Sequence, residues 1–182
     1  MATAVQIADG VYELDKPHTT LQFSVRHVGV STFRASFADI EGRLAVENSS
    51  AELSASAAVA SLSIVDPPEF REHVVRGADF FAADSHPQLT FRSTSVEFDE
   101  DGTATVSGEL AIRGVSGLVD ATGKFFPPTE DPFGGTRVGL ELTATIDRRA
   151  WGMDWQTPLP NGNDALGWDV EISAHLELTR AV

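Results

Sequence analysis

Apolar and polar residues alternate with a period of two along most of the chain, the mark of strands with one buried face. The pattern is clearest near the C-terminus. Across residues 137–147, Val138, Leu140, Leu142, Ala144 and Ile146 alternate with Gly139, Glu141, Thr143, Thr145 and Asp147. Across 167–178, Trp168, Val170, Ile172, Ala174, Leu176 and Leu178 alternate with Asp169, Glu171, Ser173, His175 and Glu177. Residues 89–98 and 103–112 flank the acidic turn Asp99-Glu100-Asp101-Gly102 and read as a hairpin. Segments 18–29, 37–47, 52–64 and 118–126 complete the set, joined mostly by short connections. Long, half-apolar strands, about eight in number, predict a mainly β fold, a single antiparallel eight-stranded barrel over residues 1–182. Residues 126–135 and 157–164 read as loops.

One short helix is expected near residues 67–76, with Asp66 as N-cap, Pro67 in the first helical position, Glu69 three residues after the cap and Gly77 as terminator. Phe70 and Val74 share a face of it, and Phe80 and Phe81 follow. This group is expected over an opening or edge of the barrel.

The inward set includes Phe23, Val25, Val106, Leu110, Ile112, Leu140, Leu142, Val170 and Ile172, with Phe91 in phase on its own strand. Such a set either fills a core or lines a cavity, since small barrels do both. The Ala- and Ser-rich run at 55–61 and Gly108 on an apolar face favour a cavity.

Composition narrows the chemistry. Thirteen basic against 27 acidic residues give a net charge of −14, which opposes binding to nucleic acid and anionic surfaces. There is no cysteine, so disulfides and thiolate chemistry are excluded. No apolar run approaches the ~20 residues of a membrane-spanning helix, and no signal peptide is visible, so a cytoplasmic location is expected. Neither His-x-His nor His-Glu-x-x-His occurs, so no metal site is expected, and no cofactor. No Gly-x-Ser-x-Gly or Gly-rich phosphate loop occurs, and no catalytic residue is assigned.

Two of the five histidines bracket the first alternating strand. His18 and His27 are nine residues apart, an odd spacing, so they point to opposite faces and lie roughly 30 Å apart. They cannot share a site. His27 is in phase with the inward set and is expected to face the interior, as a core residue or a polar ligand contact; His18 is expected at the rim or in a structural role. Arg148 and the nearby Trp151 and Trp155 are candidates to receive a ligand's head group and tail, an ion pair or surface role being the alternative for the arginine.

Residues 10–44 resemble the opening of the YceI-like family, with Tyr12-Glu13-Leu14-Asp15, then His18-Thr19 before an alternating strand that ends in His27. Residues 70–93, 106–115 and 146–155 resemble its later landmarks in the same order, and Arg148 stands at the family's arginine position. The resemblance implies a lipocalin-like barrel with a long apolar cavity. It implies binding of an isoprenoid, quinone-like or fatty-acyl amphiphile as a hydrophobic small-molecule partner, without catalysis, and a possible homodimer. On that reading the ligand contacts are the inward residues Phe23, Val25, His27, Phe91, Leu110, Ile112, Leu140, Leu142, Val170 and Ile172. Phe70, Val74 and Phe81 would join them over the opening, with Arg148, Trp151 and Trp155. An enzyme using His27 with a carboxylate partner, or an interaction module with a filled core, are the alternatives.

Overall fold

Ten strand segments pair into one antiparallel sheet that closes on itself: β1 (Gly10–Leu14), β2 (Thr20–His27), β3 (Ser31–Phe37), β4 (Ile40–Glu47), β5 (Ser50–Ala58), β6 (Gln88–Phe98), β7 (Thr103–Ile112), β8 (Val115–Glu130), β9 (Thr136–Asp147) and β10 (Leu166–Arg180). The computed structural model describes residues 7–181; the first six, on which the expectation of no signal peptide partly rests, lie outside them. From β4 to β10 each strand pairs with the next. The second edge of β10 is divided: it pairs with β2 between Leu166↔His27 and His175↔Thr20, then with β1 between Leu178↔Leu14 and Arg180↔Tyr12. β1 and β2 are therefore one wall interrupted by a 3-10 turn at Lys16–His18, and β3 and β4 are the next wall, broken at Ala38 and Asp39. The result is an eight-stranded closed barrel.

The differences from the sequence pattern have local causes. The helix α1 (Pro68–Arg76) begins one residue later than expected, with Pro67 rather than Asp66 as its N-cap and no side-chain cap bond. Pro67 precedes another proline, which excludes it from helical backbone; its ψ is 153°. Residues 126–130, expected in a loop, continue β8 through Pro127 and Pro128. The register shifts between Phe126↔Gly139 and Thr129↔Arg137, so the prolines sit in a bulge where no ladder N–H is required. The strand expected over 52–64 ends at Ala58, and the chain turns through Val59–Ser61.

That turn leads residues 61–63 along the outer edge of β3. Ser63 N donates to Ser36 O (2.8 Å), Ala38 N donates to Ser61 O (3.2 Å), and the Ser63 hydroxyl accepts from Ser36 N (2.9 Å). Leu62 forms a bridge with Phe37. A short stretch of loop thus stands in for a strand.

The barrel is solid at the end away from α1. Tyr12, Leu44, Leu140 and Leu178 are fully buried there, and the Phe98 and Phe125 rings stack with centroids 4.3 Å apart. A polar fastening lies beside this core. Arg137 of β9 donates to Asp15 (2.5 Å), Glu177 (2.5 Å) and Asp131 (2.7 Å), joining the β1–β2 junction, β10 and the β8–β9 turn. Hydrogen bonds from the guanidinium hold the Asp15 and Asp131 carboxyls below their ordinary value of 3.8, and the same bonds, with that to Glu177, push Arg137 up.

Phe125→Ala should lower unfolding stability by about 3–5 kcal/mol, read from denaturant melts, because the solid end has no means of closing the gap. A depressed carboxyl adds stability above its unfolded value and loses it as pH falls through the folded one. Arg137→Gln should therefore weaken the fold at neutral pH and flatten the decline in urea midpoint from about pH 4 to pH 2. A variant with the wild-type acid profile would show that the cluster does not set it.

Candidate functional site: an apolar cavity under helix α1

Above the solid end the inward positions become small. Ala55, Ala121, Ala144 and Ala174 face the interior at levels where the other end carries Phe and Leu. The paired walls, with residues 61–63 standing in for a strand at the outer edge of β3, do not close in around them, and a cavity of about 930 Å³ remains. It lies toward the upper end of the range of about 300–1,000 Å³ usual for ligand pockets. Leu53, Val106, Leu142 and Leu176 belong both to the solid core and to the cavity lining, and so form its floor. Phe23, Val170 and Ile172 on the walls are only half-buried although they point inward, because they face this space. Gly108 does not add to the void. A Cβ there would lie 2.5 Å from Cζ of Phe91, so the missing side chain makes room for that ring.

Helix α1 and the residues after it cover the other end. Val74 and Val75 bury themselves, and the Arg71 guanidinium donates to the carbonyls of Ala60 (2.5 Å), Leu62 (2.6 Å) and Ile64 (2.9 Å), tying the helix to the chain that leads into it. Arg113, at the β7–β8 turn, donates to the carbonyls of Ala78 and Gly152 and links two more covering segments. Aromatic rings continue the lining upward. Phe23 lies 6.2 Å from both Phe33 and Phe81, Phe33 meets Phe70 of α1 edge-on at 5.7 Å, and Phe80 bridges His73 (5.2 Å) and Trp155 (5.8 Å).

The structure brings nearly all the expected contact residues to this one cavity: Phe23, Val25, His27, Phe70, Val74, Phe81, Phe91, Leu110, Ile112, Leu142, Arg148, Trp155, Val170 and Ile172 all line it. Leu140 and Trp151 do not. Alternation identifies the face of a residue but not its level, and Leu140 lies in the solid end, one step below the floor. Trp151 turns away, donating from Nε1 to Leu110 O (2.9 Å) and packing where Gly117 has no side chain. His27 is at the opening rather than within, exposed to solvent, because β2 ends there. His18 is not at the rim, since the wall continues past it as β1; it is exposed and 3.1 Å from Asp15. Phe33 and Phe37, which the sequence reading passed over, also line the cavity. Their signal was the alternation Phe33, Ala35, Phe37 in a strand of only seven residues.

Polar groups are sparse and mostly gather at the opening. Arg148 reaches the wall, but its guanidinium already donates to the carbonyls of Met153 (2.5 Å), Gly167 (2.8 Å) and Leu166 (3.3 Å) and lies over the Trp168 ring at 4.3 Å. Burial lowers its pKa, and the nearby carboxylates of Asp147, Asp154 and Asp164 offset this only in part. It fastens the 148–153 turn to the start of β10. His27 and His73 line the opening, yet among the described residues the histidines within 4.0 Å of a carboxylate are His18 and His175. Glu69 and His73 lie one turn apart on α1 and both line the opening, without such a contact. Asp15, His18 and Glu177 bring three potential metal-ligand atoms within 4.8 Å of one another, but the Arg137 guanidinium already occupies both carboxylates.

Residues 12–178 match the YceI-like domain family. A UPF0312 protein of Staphylococcus aureus is 30% identical over 172 residues, 92% of this chain and 96% of its own. One from Ectopseudomonas mendocina is 33% identical over 138 residues, 74% of this chain and 72% of its own. Among solved structures, BcnA of Burkholderia cenocepacia superposes with a TM-score of 0.70 at 18% identity, covering 90% of this chain and 98% of that one. A polyisoprenoid-binding domain from Saccharophagus degradans, implicated in plant cell wall breakdown, gives 0.69 at 15% identity, covering 93% and 98%. A barrel of this closure and a family match spanning nearly all its strands lead to one assignment: the chain belongs to the YceI-like family.

Proposed function

We propose that this protein binds and carries a long-chain amphiphile, an isoprenoid, quinone-like or fatty-acyl molecule, in the barrel cavity. The observation that carries this reading is the cavity: about 930 Å³, lined by aliphatic and aromatic side chains, floored at one end, with polar side chains gathered chiefly at the other. A structural neighbour described as polyisoprenoid-binding supports it. Binding draws on apolar burial, about 0.8 kcal/mol per methylene, less the cost of ordering the chain. The tail lies toward Val106 and Leu142 and the polar end toward His27, His73 and Glu69. We read the site as a carrier rather than a catalyst; among the described residues neither His27 nor His73 has a carboxylate within 4.0 Å.

Organic extraction of purified protein followed by mass spectrometry should yield a long-chain lipid. Repeated extracts without one, together with no uptake of added polyprenyl or fatty-acyl compounds, would refute the reading. In a homologous fatty-acid series, affinity should rise roughly fourfold per added methylene and then level off once the cavity is full. Ala121→Phe should abolish binding of the longer members while leaving the melting temperature equal or higher, since it fills space without disturbing the ladder.

A further inference from the structure

The opening of the cavity carries more apolar surface than contact with a ligand requires. The β2–β3 turn is Val28-Gly29-Val30. Val28 has φ 45° and Gly29 φ 75°, two left-handed residues inside the tight turn closed by Val30 N donating to His27 O (3.1 Å), within a three-residue loop flanked by the pair His27↔Ser31. Asn-Gly serves that geometry best, and a β-branched residue serves it badly. Val30, the next residue, is 81% exposed. A turn shaped only for folding in water would carry neither valine. Val65, 77% exposed, stands just before α1, and Phe70, 40% exposed, lies on α1 with its ring against Phe33 of β3. Three different elements therefore present apolar side chains around one opening. Neither Val30 nor Val65 lines the cavity.

The same hairpin is cationic in a chain of net charge −14. Arg26 and Arg34 are exposed on its outer face, and among the described residues no carboxylate lies within 4.0 Å of either. Arg76, Arg92, Arg137 and Arg149 are all paired with carboxylates. Phe133 is more exposed still, at 94%, but it sits at the solid end beside Glu130 and Asp131, without an unpaired cation next to it in sequence.

We propose that the rim formed by Val30, Val65 and Phe70 docks on a zwitterionic phospholipid surface, with Arg26 and Arg34 on the lipid phosphates. Apolar side chains set among snorkelling arginines are the chemistry of an interfacial anchor. A zwitterionic leaflet offers phosphates without net charge, whereas Asp66 and Glu69 at the opening, and the charge of −14, repel an anionic one. Docking would set the opening against the bilayer, where an insoluble ligand can pass without crossing water. The proposal rests on the reading of the cavity as a lipid site.

The test is flotation of the full chain with phosphatidylcholine vesicles, alongside vesicle-free titration with a fluorescent long-chain fatty acid. Wild-type protein should co-float. The double variant Val30→Ser/Val65→Ser should lose at least about fivefold in bound fraction, and Arg26→Gln/Arg34→Gln about twofold or more, while both keep the wild-type affinity for the fatty acid. Phe133→Ser should float like wild type. Wild-type protein that takes up the fatty acid but ignores vesicles would overturn the docking and leave the lipid reading intact, assigning the rim to a protein partner instead. Flotation that survives Val30→Ser/Val65→Ser, or fails with Phe133→Ser, would overturn it too. No uptake by the wild type of either the fatty acid or an added polyprenyl compound would instead strike the lipid reading itself.

Discussion

Closure of the sheet through β10 is the constraint on which the rest of the molecule depends. Both edges of that strand are committed, one to β9 and the other first to β2 and then to β1. Once the ladder is complete, the perimeter of the barrel is fixed by backbone hydrogen bonds rather than by its contents. An ordinary core responds to a smaller side chain by partial collapse. This one cannot draw its walls together without breaking strand pairing or the 61–63 bonds that cover the outer edge of β3. The choice between Phe125 and Ala121, four residues apart on β8, is therefore a choice between filled and empty space.

The resulting asymmetry gives the cavity a direction. Stacked Phe98 and Phe125 and buried Tyr12 block passage at one end, while α1, held through Arg71 by its own leading segment, roofs the other. On the proposed reading, an amphiphile in such a space lies tail down, with its head among the polar groups at the opening. Arg148, although it reaches the wall, spends its donors on backbone carbonyls. Its work is to keep the rim in place, and the polar end of a ligand is left to groups in contact with water.

Much of this was legible in the sequence, for a physical reason. Alternation reports which face of a strand is wet, and a barrel is little more than faces, so the barrel and most of the cavity wall follow from residues such as Val25, Ile112 and Val170. Depth along the barrel axis leaves no such mark. Leu140 and Leu142 are indistinguishable by pattern, yet one lies in the solid end and the other on the cavity floor. Trp151 escaped because its place depends on the absence of a side chain at Gly117, a relation between distant positions. The two prolines of β8 misled because a bulge, visible only through the partner strand, excused them. Gly108 looked like missing volume, and Phe91 had filled it.

The loop stretch beside β3 has a bearing on solubility and on how ligands can exchange. Where β3 parts from β4 it no longer has a strand beyond it, so its outer backbone groups form a free edge, the feature by which β proteins adhere to one another. Residues 61–63 mask part of that edge with two backbone bonds and two serine hydroxyls. The mask belongs to the same segment that Arg71 binds to α1. Swinging the helix aside would peel the mask away and present an unsatisfied strand to any neighbouring copy. Lateral opening thus carries an aggregation hazard that passage through the top avoids, and the serines at 61 and 63 guard the chain against self-association as much as they shape its fold.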